Sequence, residues 1–258
     1  MKADSKDSKD NLFEYVLRLG DDRLILGHRL SEWCGHGPIL EEDIALANIS
    51  LDCIGQANNF LQLAASINGN GQTADDLAYF RDTIEFRNLM LTELPNGDFA
   101  CTIVRQFLFD VFSFYLLTDL QESKHDELAG LAAKSLKEVR YHLRHSSEWM
   151  LRLGDGTEES HNRLQTALND IWMYTGEIFN MDDVDHQLLE RGIAADLQAL
   201  EPKWKEKVSD IIKEATLILP DDSIFMVSGS RRGNHTEHIG HLLTEMQILP
   251  RSLPNAKW

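Results

Sequence analysis

The stretch from Leu40 to Ile67, LEEDIALANISLDCIGQANNFLQLAASI, constrains this chain more than any other. It has no proline and a single glycine, Gly55. Its apolar residues return at steps of three and four, which predicts a helix. One row reads Leu40, Ile44, Ala47, Leu51, Ile54, Asn58, Leu61 and Ala65, and a second reads Leu46, Ile49, Cys53, Ala57, Phe60 and Ala64. A helix apolar on two sides is expected to be covered by neighbours on both. Between the rows runs a polar line, Asn48, Asp52, Gln56 and Asn59. Inside a bundle such groups need partners or a ligand.

The same periodicity places other helices. Asn11–Cys34 has the seam Leu12, Val16, Leu19, Arg23, Leu26, Leu30 and Trp33. Arg23 is either a buried stem with a solvated head or one half of a buried ion pair. Gly35-His36-Gly37-Pro38 ends this helix, and so short a turn makes the next one antiparallel. Asp75–Leu94 reads as one helix of mixed charge. Phe99–Gln121 is apolar nearly all round, with Gln106, Asp110 and Ser113 as its interior polar line. Asp126–Leu153 carries Ser135, Glu138, His142, His145 and Trp149 beside its seam. Further helices are expected over Glu159–Phe179, Pro202–Leu219 and His235–Leu249, with a short acidic piece at Asp182–Arg191 and a flexible basic loop at Ser228–Gly233. No strand signal persists. Four long helices in two antiparallel pairs predict an all-α, ferritin-like four-helix bundle with additional C-terminal helices. Residues 1–10 read as a disordered tail and 11–258 as a single domain.

Charge and cysteine usage exclude several functions. The net charge of −17 argues against nucleic acid and anionic membranes as partners. Cys34, Cys53 and Cys101 are scattered and odd in number, as expected of reduced thiols. The polar start MKADSKDSKDN is no signal peptide, and no uninterrupted apolar run approaches membrane-spanning length, so a cytoplasmic location is expected.

A ferritin-like di-iron centre takes one Glu from each of two helices and Glu-x-x-His from the other two. Here the second helix offers Asp52-Cys53-Ile54-Gly55, and the fourth offers Glu138-Val139-Arg140-Tyr141 with His142 one position late. Glu122 to His125 and Glu158 to His161 match the spacing but fall at helix ends. Asp52, Gln56, Asp110, Glu138 and His142 are therefore expected to form a hydrogen-bonded network, a degenerate metal site with no metal of its own. His235, His238 and His241 recur at helical spacing. They could form a metal cluster, or the helix start with Arg231 and Arg232 could hold a phosphate, or they lie on a polar helix face.

Four stretches, LGDDRLILGHRLSEWCGHGPILEEDIALANISLDCIGQANNFL, RDTIEFRNLMLTELPNGDFA, KEVRYHLRHSSEWMLRLGDGT and HTEHIGHLLTEM, resemble the non-catalytic ferritin-like subunit of bacterial phenylacetyl-CoA 1,2-epoxidases. The resemblance extends over nearly the whole chain after residue 10. It implies a structural subunit that pairs with a di-iron catalytic subunit and stabilises it in aerobic phenylacetate degradation. It also implies a reductase component that uses NADPH with flavin and iron–sulfur groups, O₂ as co-substrate, and no cofactor in this chain. Subunits of this family lie near the bound phenylacetyl-CoA. Matching the R-D-x-x-x-F-x-N segment carries that role onto Glu85, Phe86, Arg87 and Asn88, and less directly onto His186, Gln187 and Leu188. Without the resemblance Arg87 reads as a solvated helix charge. The competing reading is an independent di-iron oxidase or oxygenase with unusual ligands, which iron content would discriminate.

Overall fold

The computed structural model describes residues 2–221, 223–254 and 256, with side chains from residue 9 onward. It is all-helical, with ten α-helices and two 3-10 turns among the described residues. The tail expected over residues 1–10 lies largely outside the described side chains. Contacts divide the chain into two compact units, residues 1–95 with 229–258, and residues 96–228.

The first unit is built on helix α1 (Lys2–Ser31) and helix α2 (Leu40–Asn68). Gly35, at φ +80, turns the chain, and the Gly37 N–H donates to the Asp43 carboxylate at 2.9 Å. The helices run antiparallel, since Lys9 meets Asn68, Gly20 meets Leu61, and Gly27 meets Ser50. Gly20 and Gly27 allow the close approach. A Cβ there would stand 2.7 Å from a Leu61 methyl and 2.9 Å from Ile54. The second apolar row of α2 is buried throughout.

The expected helix over Asp75–Leu94 is not continuous. Helix α3 (Ala74–Tyr79) opens on a Thr73–Asp76 capping box, a 3-10 turn covers Thr83–Glu85, and helix α4 is the short Met90–Glu93. The cause lies in α1. Asp21 accepts from the Arg81 guanidinium and, at 2.9 Å, from the Arg87 N–H. Asp22 accepts from the Leu89 N–H at 2.7 Å. Buried carboxylates thus take backbone donors that a helix would have used internally. Helix α10 (Glu237–Ser252) starts later than its histidines suggest, because Thr236 is its N-cap. It also runs past Leu249, through Pro250.

In the second unit, helix α5 (Phe99–Leu120) lies against helix α6 (Asp126–Gly154), helix α7 (Glu158–Trp172) and helix α9 (Leu197–Glu214). Asp98 caps α5 through the Cys101 N–H at 3.0 Å. By length and composition α5 could cross a membrane, although Arg105 and Asp110 interrupt its apolar run, and 83% of that window is buried within the protein. Phe109, Phe112, Phe179 and Trp204 pack edge to face in succession, and Trp204 donates to the Leu108 carbonyl at 3.0 Å. Helix α7 ends at Trp172, short of Phe179, and helix α8 spans Asp183–Glu190. Pro202 does not open α9. Asp196 does, by accepting from the Ala199 N–H, and the helix stops before Thr216, which sits at φ 61.

Candidate functional site

Arg23 resolves the first ambiguity. It is buried to the guanidinium, so its head does not reach solvent. Its Nε donates to Gln56 at 3.0 Å, Nη1 donates to the Leu19 carbonyl at 2.9 Å, and the head lies 5.0 Å from the Phe60 ring. Burial lowers the pKa of this arginine, opposed chiefly by Asp22. Within the polar line of α2 only Gln56 is buried, Asp52 and Asn59 are partly covered and Asn48 is exposed.

The R-D-x-x-x-F-x-N segment is a knot. Arg81 lies 4.2 Å over the Phe86 ring, and Phe86 is wholly buried. Arg87 Nε pairs with Glu14 at 3.1 Å, and Nη1 donates to the carbonyls of Ile84 and Phe86. It is not a free helix charge. Asn88 is buried and donates to Glu93 at 3.0 Å. Glu85 is exposed and caps the Asp82 N–H at 2.8 Å. Of the four residues of this segment assigned to substrate by resemblance, only Glu85 and Arg87 therefore keep accessible surface.

The loop before α10 completes the knot. Arg231 forks onto both Asp22 oxygens at 2.8 and 2.9 Å. The Glu93 carboxylate accepts from the Thr236 N–H and faces His235 Nδ1 at 2.9 Å. The Phe86 carbonyl can only accept, so His235 Nε2 carries the proton between them. A phosphate, one of the three alternatives at this helix start, would meet a site that the chain's own carboxylate fills. His235 precedes the helix, so the three histidines do not share one helical face. Asp21, Asp22 and Glu93 are not singled out in the sequence, whereas Arg81 and Arg231 enter it in other roles, as the first residue of the R-D-x-x-x-F-x-N segment and as a candidate phosphate ligand. The one signal of the two aspartates was Asp21-Asp22-Arg23, three charges in succession amid an apolar seam.

In the second unit Asp110 is buried on α5. It accepts from Gln106 Nε2 at 2.7 Å and, across to α6, from Ser146 Oγ at 2.8 Å. Burial pushes its pKa up to about 7, against the opposing pull of His142, Ser146 and Gln106. His142 is buried and Glu138 is half-buried. His186 and Gln187 on α8 are exposed, and Leu188 is in the core.

These residues do not fit a di-iron centre. Gly55 and Tyr141, at the positions where histidines would stand, both face outward. Asp110 is held by a hydroxyl and an amide. Among the described residues no group of three or more His, Cys, Asp or Glu could hold a metal ion.

The first apolar row of α2 departs most from expectation. It is not a buried seam. Leu40 is 72% exposed, Ile44 53% and Leu51 66%. Ala47 and Ile54 are partly covered, and a Cβ at Gly55 would meet nothing within 4 Å. Only Leu61 and Ala65, at the far end, are buried. The chain covers one side of α2 and leaves an aliphatic strip on the other.

The whole chain, residues 1–258, matches the family model described as phenylacetic acid catabolic protein. It is 49% identical over 249 residues to the C subunit of the 1,2-phenylacetyl-CoA epoxidase of Escherichia coli strain K12. The match covers 96% of this chain and 100% of that protein.

Proposed function

The chain belongs to the phenylacetic acid catabolic protein family, and from that premise we propose that it is the structural subunit of a phenylacetyl-CoA 1,2-epoxidase. In this reading it pairs with the di-iron catalytic subunit in the cytoplasm, stabilises it, and adds surface to the CoA-thioester site. A reductase that uses NADPH supplies electrons to the complex. The observation that carries the reading is the exposed strip of Leu40, Ile44 and Leu51. Aliphatic residues aligned along a long helix are poorly placed against water, and burying them against a second chain stabilises by about 25 cal/mol per Å². Gly55 within the strip lowers helix propensity by about 1 kcal/mol relative to alanine, and no neighbour among the described residues calls for it. Close approach of a partner's helix gives that glycine a reason.

For the thioester, the exposed Glu85 and Arg87 are the contacting side chains we favour, with Phe86 and Asn88 holding their backbone from beneath. His186 and Gln187, with Leu188 as their anchor, are a second candidate contact. In this reading Asp52 and Gln56 belong to a polar interior of the first unit, and Asp110, Glu138 and His142 to one of the second, neither of them a metal site. An independent di-iron oxidase draws no support from the described side chains. Co-purification with the catalytic subunit tests the pairing. Leu51→Glu with Ile44→Glu should abolish the complex while the isolated chain keeps its helical circular dichroism. Full pairing by that variant would remove α2 as the interface, and ring epoxidation by the catalytic subunit alone would remove the structural role.

A further inference from the structure

A second surface of the first unit carries chemistry that subunit pairing along α2 does not use. A groove of about 720 Å³ lies between the end of α1, α3 and α10. Its walls are apolar, chiefly Phe80, Leu242, Met246, Leu249, Pro250 and Leu253. Phe80, Leu249 and Leu253 are each more than a third exposed.

The charged groups are all of one sign: among the described residues no lysine or arginine lines the groove, whereas Glu32, Asp75 and Glu245 do. Glu32 is engaged by Arg29 at 2.8 Å. Asp75 on α3 and Glu245 on α10 enter no ion pair among the described residues. At the groove's inner end His28 Nε2 is shut off from water and has no hydrogen-bond partner. Burial lowers the pKa of that imidazole to about 4, so it is neutral near pH 7. Burial, then Asp75, pushes the Tyr79 phenol up, so it keeps its proton. Among the described residues an anion finds no cation here, while a cation finds two carboxylates outside any ion pair beside an apolar wall.

A lysine or arginine reaches a carboxylate with its head while its stem, or an apolar neighbour, lies along such a wall. The exposed rim fits a polypeptide segment better than a small amine, which would bury most of its surface in a closed pocket. We propose that this groove docks a segment of a partner protein that carries an arginine or lysine beside a large apolar side chain.

Calorimetric titration of the full chain tests this with two capped peptides, Gly-Arg-Leu-Phe-Arg-Gly and its counterpart with glutamate in place of both arginines. The basic peptide should saturate at one site and the acidic one should not bind. Asp75→Asn with Glu245→Gln should weaken the basic peptide about tenfold, as expected of two partly exposed ion pairs. Glu206→Gln with Asp210→Asn, exposed on α9, should leave binding unchanged. Leu249→Asp, which adds charge but removes part of the wall, should also weaken it. Absence of saturable binding, or equal weakening by the two neutralised pairs, would overturn the proposal, the latter by reducing it to net charge. So would binding that occurs only after residues 255–258 are removed, since the groove would then belong to the chain's own terminus.

Discussion

Replacing Asp110 by asparagine should change the pH dependence of stability in a calculable way. In the native protein its carboxyl is buried and its pKa stands at about 7, against an ordinary value of 3.8. Each pH unit of displacement corresponds to about 1.4 kcal/mol, so the full effect is about 4 kcal/mol. Below about pH 4 the carboxyl is protonated in both folded and unfolded chains and carries no penalty. From about pH 4 to about pH 7 the unfolded chain has released the proton and the native one has not, so stability falls as pH rises. Above about pH 7 the whole penalty persists. Asparagine is nearly isosteric and does not titrate. Its carbonyl can accept from Gln106, and the Ser146 hydroxyl can rotate to accept from its amide. The variant should match the wild type near pH 4 and exceed it by up to about 4 kcal/mol near pH 8. Urea unfolding followed by tryptophan fluorescence across that range measures both curves. Parallel curves would refute the reasoning, because they would mean that Asp110 is ionised and held by a cation.

Glu93→Ala leaves the Asn88 amide and the Thr236 N–H without their acceptor. Thermal unfolding should show a loss of about 1–3 kcal/mol for each buried donor left unmet, and an unmoved midpoint would mean that the loop before α10 finds other partners. Asn88→Ala should lower stability by about 1–3 kcal/mol. Arg87→Ala should raise KM for the CoA thioester in the reconstituted complex and leave assembly intact; an unaltered KM would make Arg87 only a clamp on the Ile84 and Phe86 carbonyls. The isolated chain should take up no stoichiometric iron under anaerobic loading, read by plasma emission, and a stoichiometric load would restore the oxidase reading.

The long helices were legible because their apolar periodicity is sustained, and Leu40, Phe99 and Asp126 each begin a helix where the pattern begins. Burial was legible for only one face of α2. Periodicity reports that a stripe is apolar, not which molecule covers it, so Leu40, Ile44 and Leu51 could not be assigned to this chain's core or to a partner's. The segment from Asp75 to Leu94 has helical composition, yet its fate is decided by Asp21 and Asp22, far away in sequence. Local propensity is a weak prior against buried carboxylates that claim backbone donors. Pro202 misled for a related reason, since the Asp196 cap lies upstream of it. The His235 segment was legible only as three alternatives, and the one that needed an open helix start is closed by Glu93, distant in sequence.

The bond between Arg231 and Asp22 has a consequence for how the chain is made. The partners are 209 residues apart, as distant in order of synthesis as nearly any two groups in the protein. Residues 96–228, in contrast, form one unbroken stretch. During translation the second unit can close on itself while Asp22 and Glu93 still await Arg231, His235 and the Thr236 N–H. The first unit is therefore the last to mature, and until it does Asp22 and Glu93 lack these late partners. A ribosome stalled before residue 229 should present a nascent chain whose second unit resists brief proteolysis while its first is cut. Equal resistance of the two units would mean that α1 and α2 lock without their distant clasp.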